Sequence, residues 1–147
     1  ILIKPGGFTD EEFTIMKAHP KEGAKLILDR DVRLEVPAVV AYEHHIMLNG
    51  GGYPAFHFVR DTHYASRLVH VCDVYDALCT NRPYREAWTS TKALDYLEEK
   101  SGTDFDPVFS LPFIKMMKER TVQRLSVEDP EVTEGGAGGQ GGSGAGS

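Results

Sequence analysis

Six histidines, a pair of aspartates and two closely spaced arginines are the side chains of this chain best suited to chemistry. The histidines are His19, His44, His45, His57, His63 and His70. Neutral imidazole ligates metals, and its charge changes near physiological pH. His44 and His45 are adjacent at the end of a predicted helix. Neighbouring helical side chains diverge by about 100°. Two such rings suit two metals, or one metal where the helix frays. A pair of exposed polar residues is the plainer alternative. Asn49-Gly50-Gly51-Gly52-Tyr53-Pro54 follows directly, however. Successive glycines allow backbone angles that other residues adopt only at a cost, and loops with such demands tend to border sites. A tight interhelical turn alone needs no such run.

Asp73 and Asp76 lie three apart and share one face of a strongly helical stretch. Their neighbours Val71, Cys72, Val74, Tyr75 and Leu78 imply burial, where a carboxylate is costly unless paired or metal-bound. Asp73 is the candidate metal ligand, while helix capping or arginine pairing suits Asp76. His70 is either a further ligand or a satisfied core or surface histidine. Arg82 and Arg85 flank Pro83-Tyr84. Two guanidiniums around a rigid Pro-Tyr suit phosphate or guanine-edge recognition, or else a surface ion pair with Glu86 or Asp76.

The elements that must position these groups read as helices. Thr9-Asp10-Glu11-Glu12 is a capping box, with Phe13, Ile15 and Met16 as the apolar side of the helix it opens. Pro20 suits the first turn of a second helix, just after His19, and Pro37 the start of a third running toward His45. The strongest pattern is over 62–80, where Ala65, Leu68, Val69, Cys72, Tyr75 and Cys79 recur at helical spacing. Ser90 to Lys100 reads as a helix capped by Gly102, and Asp106-Pro107 opens a last one to about Arg120. Pro112 inside it predicts a kink or a delayed start. No alternating strand pattern stands out, so the expected fold is all-α, a compact helical bundle.

The chain has 147 residues, with 41% hydrophobic and 26% charged residues, the balance of one globular domain. Its net charge of −6 is concentrated late. Before residue 128 the 16 basic and 18 acidic groups leave only −2, without the basic excess of a DNA or RNA backbone binder. No run of apolar residues is long enough for a membrane span. Cys72 and Cys79 are two helical turns apart, too far for a disulfide, and read as buried small hydrophobes of a reducing, cytoplasmic setting. Gly135 to Ser147 holds eight glycines and no apolar residue larger than Ala. The expected folded unit is therefore about 1–124, with 125–147 an acidic, then Gly-rich, flexible tail. Ile1 already falls in mid-pattern, with no start methionine or leader, so the chain reads as the continuation of a longer one.

Taken in order, His19-Pro20, Glu43-His44-His45, the Gly50-Gly51-Gly52-Tyr53-Pro54 loop, Asp73-Val74-Tyr75-Asp76-Ala77-Leu78, Arg82-Pro83-Tyr84-Arg85 and Phe105-Asp106-Pro107 form a distinctive series. Over about residues 1–120 it closely resembles the HD-GYP family of bacterial cyclic-di-GMP phosphodiesterases, a branch of the HD metal-dependent phosphohydrolases. The resemblance implies an all-helical bundle of the HD-domain type. It places metal ligands at His19, His44, His45 and Asp73. Substrate contacts are implied at Gly50, Gly52, Tyr53, Pro54, Asp76, Arg82 and Arg85. Two or three divalent ions are implied, usually iron or manganese, with cyclic-di-GMP opened to the linear dinucleotide or on to GMP. Diguanylate cyclase (GGDEF) domains, an N-terminal receiver or sensor domain and a second copy of the chain are the implied partners. The family's His-Asp pair and following Lys, which supply a bridging carboxylate, would precede Ile1, so this stretch alone is expected to be inactive. Asn49 stands where the family has Asp, and Ile46 where it has an acid. Altered loop contacts, with metal binding kept, are expected. Some family members are degenerate, so the alternative is a non-catalytic HD-type signalling module acting through protein–protein contacts. Hydrolysis of a hybrid cyclic dinucleotide is a third reading.

Overall fold

Local capping decides most helix starts. Thr9 Oγ1 accepts the Glu12 N–H at 3.2 Å, and the Glu12 carboxylate accepts the Thr9 N–H at 2.8 Å. This reciprocal pair opens α1 (Asp10–Met16). Pro20 lies in the first turn of α2 (His19–Arg30), where its missing N–H costs nothing. The third helix, α3 (Glu35–Glu43), starts two residues earlier than expected. Pro37 fits there too, because all four leading N–H groups of a helix lack intrahelical partners. His63 caps α4 (Tyr64–Cys79), its ring Nδ1 accepting the Ala65 N–H at 3.2 Å. Thr89 caps α5 (Ser90–Glu99), and Gly102, at φ +88°, turns the chain after it. Asp106 Oδ1 then accepts the Val108 N–H at 3.0 Å to open α6 (Pro107–Glu128).

The computed structural model describes residues 6–56, 61–83 and 85–128, the last five by backbone alone. Residues 1–5, His57, Tyr84 and 129–147, with the Gly-rich stretch, lie outside the described residues. Among those described there are six helices and three isolated bridges but no β-strand, so the all-α expectation holds. No helix there is long and apolar enough to cross a membrane.

Helices α4, α5 and α6 enclose the core of Val71, Leu94, Leu97, Phe105 and Ile114. Helix α2 packs on α3, and α3 on α4. Four expectations need correction. Leu68, Val69 and Cys72 are exposed on α4, and the buried residues are Ser66, His70 and Val71. Apolar spacing cannot register polar side chains that are buried because they are bonded. Cys79 is half-buried, so neither cysteine is a core residue. Asp73 is half-exposed and Asp76 exposed, so burial does not explain either. Finally, α6 runs past Arg120 to Glu128 and Pro112 does not delay it. No Gly or Pro interrupts it between Pro112 and Pro130, and Ile114 is only 4% exposed beneath it.

Candidate metal centre

Three helices bring the site together. His19 starts α2, His44 is the C-cap of α3 with His45 just beyond, and Asp73 lies midway along α4. The donor nitrogens of His19, His44 and His45 all lie within 4.8 Å of one another. Ligand atoms about 2.1 Å from one ion stand roughly 3–4 Å apart, so this spacing suits a shared cation.

The tautomers sharpen that point. His19 Nδ1 lies 2.7 Å from the Met16 carbonyl, and His44 Nδ1 lies 2.9 Å from that of Ala41. A carbonyl can only accept, so each Nδ1 carries the proton. In the neutral rings that leaves lone pairs on both Nε2 atoms, which face each other at 3.4 Å. Two acceptors at that separation repel unless a proton or a cation lies between them. The donor set therefore fits a divalent ion. Backbone bonds from the far ring nitrogen also fix ring orientation, as outer partners of metal-binding histidines usually do.

His45 Nδ1 lies 3.6 Å from Asp73 Oδ2, too long for a hydrogen bond but suited to two ligands of one ion. Burial pushes the His45 pKa down to about 3, helped by the neighbouring imidazoles of His44, His19 and His70. At neutral pH His45 is therefore neutral and able to ligate. Burial lowers the His70 pKa in the same direction. Both sit below the unfolded-chain value of about 6.5. The unfolded chain thus binds more protons than the folded one as pH falls below that value, and stability falls with it. With metals chelated, the melting temperature should drop by several degrees from pH 7 to pH 5, and less in His45→Gln. Equal melting at both pH values in the parent chain would contradict this protonation pattern.

The glycine loop folds back on the histidines. The Tyr53 N–H donates to the His45 carbonyl at 3.2 Å, and Ile46 bridges Gly52. The Tyr53 ring lies 4.6 Å from His45 and 6.2 Å from His19, centroid to centroid, with Phe13 edge-on at 6.4 Å. Burial, then the Asp73 charge, raises the Tyr53 pKa, so its hydroxyl stays protonated. The loop is fastened from behind as well. Leu48 and Asn49 donate their N–H groups to the carbonyls of Asp104 and Thr103 at 2.9 and 3.0 Å. Asn49 Oδ1 accepts the Gly51 N–H at 2.8 Å, and its Nδ2 donates to Asp104 at 3.5 Å. An Asp at position 49 would put two carboxylates together there, so the amide suits this particular loop.

The structure thus gathers His19, His44, His45, Asp73, Gly52 and Tyr53. Asp76 is exposed on α4, three residues beyond Asp73. Arg82 and Arg85 exchange backbone hydrogen bonds at 2.9 and 3.0 Å. The Arg85 guanidinium donates to the Ala77 carbonyl and lies over Trp88, so it secures the end of α4. His70 takes the satisfied-core reading on one side: its Nδ1–H donates to the His44 carbonyl at 2.7 Å. Its Nε2 is buried without a hydrogen-bond partner. Sequence reasoning passes over Glu43, which is fully buried. Its one signal is an acid closing the otherwise apolar Val39-Val40-Ala41-Tyr42 run.

Fold and site together define an all-helical domain built around a histidine–carboxylate cluster. The chain belongs to the HD-domain family, whose model matches residues 1–109. Relatives include the cyclic di-GMP phosphodiesterase response regulator RpfG of Xanthomonas campestris pv. campestris, 42% identical over 108 residues, 73% of this chain and 29% of that protein. A cyclic di-GMP phosphodiesterase of Pseudomonas aeruginosa is 36% identical over 115 residues, 78% of this chain and 28% of its own length. A 3'3'-cGAMP-specific phosphodiesterase of Vibrio cholerae is 31% identical over 131 residues, 88% of this chain and 25% of its own length. The chain therefore spans less than a third of each of these relatives.

Proposed function

We propose that this domain serves a metal-dependent phosphodiesterase that opens cyclic-di-GMP to the linear dinucleotide. The observation that carries the reading is the pair of His19 and His44 Nε2 lone pairs facing each other at 3.4 Å, with His45 and Asp73 beside them. His19, His44, His45 and Asp73 are the groups that would hold the ions, and imidazole with carboxylate suits iron or manganese. Such ions, when bound, polarise phosphoryl oxygens and acidify a water that can attack phosphorus.

The chain's own residues supply the setting. The Met16 and Ala41 carbonyls hold the His19 and His44 rings with Nε2 turned toward the site. Burial keeps His45 uncharged. The Tyr53 phenol remains a donor beside the cluster and can hydrogen-bond a phosphoryl oxygen. Gly50, Gly52 and Pro54 shape the wall next to it. Arg85 is engaged with Ala77 and Trp88. Arg82 is therefore the better candidate of the two arginines to meet a phosphate or guanine edge.

The names of the relatives favour cyclic-di-GMP, with 3'3'-cGAMP as the competing substrate. The test is to incubate the complete protein with Mn²⁺ and each dinucleotide and separate the products by chromatography. Mn²⁺-dependent appearance of the linear guanine dinucleotide, faster than any product from 3'3'-cGAMP, is expected. Binding of the dinucleotide without turnover under these conditions would favour the signalling-module reading.

A further inference from the structure

Glu43, the residue before the histidine pair, closes α3 and is 0% exposed. A buried carboxylate is costly unless it is well bonded. Its Oε2 accepts the backbone N–H of His63 at 2.7 Å and the Ser66 hydroxyl at 2.8 Å. Those groups belong to the N-cap and first turn of α4, where N–H groups lack intrahelical partners and the helix dipole favours a negative charge. The next residue is tied to the same helix in the same sense, since the His70 Nδ1–H donates to the His44 carbonyl at 2.7 Å. Ser66 and His70 are four apart, one above the other on one face of α4. Two consecutive residues at the end of α3 therefore grip two successive turns of α4. Asp73 stands three residues further along that helix.

We propose that Glu43 is a positioning residue for the metal centre. Its carboxylate, together with the His70 clasp, sets the register at which α4 presents Asp73 to His45. This inference rests on the metal-site reading above and adds to it a residue that touches no ion. The two bonds converge on a single carboxylate oxygen. A shorter acid cannot keep them, because losing one methylene draws the carboxylate back by about 1.5 Å.

The test is spectroscopic titration of the full 147-residue chain with Co²⁺. Outer partners of ligands are worth about ten- to a hundredfold in metal affinity. Glu43→Ala and Glu43→Asp should each weaken Co²⁺ binding by about that factor, and Ser66→Ala, which removes one of the two bonds, should weaken it in the same direction. In an Asp73→Ala background, Glu43→Ala should add no further loss, because Asp73 is the group it places. If Glu43→Ala loses its helical circular dichroism, Ser66→Ala carries the test. Parent-like binding by Glu43→Ala, Glu43→Asp or Ser66→Ala, or losses that add fully to that of Asp73→Ala, would overturn the positioning role. A parent chain that takes up no Co²⁺ would instead overturn the metal-site reading itself.

Discussion

Gly52→Ala should abolish tight metal binding while its neighbours tolerate the same change. A Cβ on Gly52 would lie within van der Waals overlap of the His45 carbonyl oxygen, and the residue sits at φ +82°. The obstacle is backbone, so no side-chain rotation relieves it. The His45 peptide would have to move, and it directly follows the His44 carbonyl held by His70. The left-handed angle alone costs an L-residue about 1–2 kcal/mol. The displaced loop would also carry Tyr53 away from His45. A loss of at least about a hundredfold in metal affinity is expected, comparable to the strongest effects of disturbed outer partners. The flanking glycines supply controls. Gly50 has φ +84° but open space where a Cβ would project, so Gly50→Ala should cost only the conformational penalty, about 1–2 kcal/mol. At Gly51 the near atoms are side-chain ends, Asn49 Oδ1 at 3.0 Å and Met47 Sδ at 3.2 Å, which can shift. Urea unfolding and metal titration of the three variants would read the series. Equal behaviour at all three positions would show that the close approach at Gly52 does not govern the site.

His44→Ala in the complete protein should lower phosphodiester hydrolysis by about a thousandfold or more, equivalent to roughly 4 kcal/mol of transition-state stabilisation. Truncation removes one of the two facing Nε2 atoms but keeps the backbone carbonyl to which His70 donates. The clasp between α3 and α4 therefore survives, and circular dichroism should be unchanged. Asp73→Ala tests the other side of the cluster. Its side chain is 43% exposed, so the substitution leaves no buried cavity. Steady-state kinetics of both variants at saturating Mn²⁺ would measure the effect. Parent-like turnover in either one would remove that residue from the site.

Most of the helices are legible in the sequence because their starts are local. Thr9 with Glu12, Pro20 and Asp106-Pro107 satisfy helix N–H groups, or dispense with one, using residues a few positions away. The end of α6 is not legible because nothing between Pro112 and Pro130 marks a stop. The inward face of α4 is hidden for a different reason. Ser66 and His70 are buried because Glu43 and His44 from another helix bond them, and residue spacing carries no record of that. The candidate site divides in the same way. His19, His44, His45 and Asp73 are readable as residue types suited to metal, and the fold brings them together. Burial does not put Asp73 there, contrary to the expectation from its apolar neighbours. The grip of Glu43 and His70, the docking of Asn49 on Asp104 and the engagement of Arg85 with Ala77 are long-range or backbone contacts with no local signature.

The proposed metal centre depends on one cation being shared by imidazoles from α2 and from the end of α3. Calorimetric titration of Mn²⁺ into the metal-free chain at neutral pH measures this directly. Saturable uptake that disappears when His19 and His44 are both replaced by alanine is the result expected. No uptake by the parent chain, or uptake unchanged in the double variant, would contradict it.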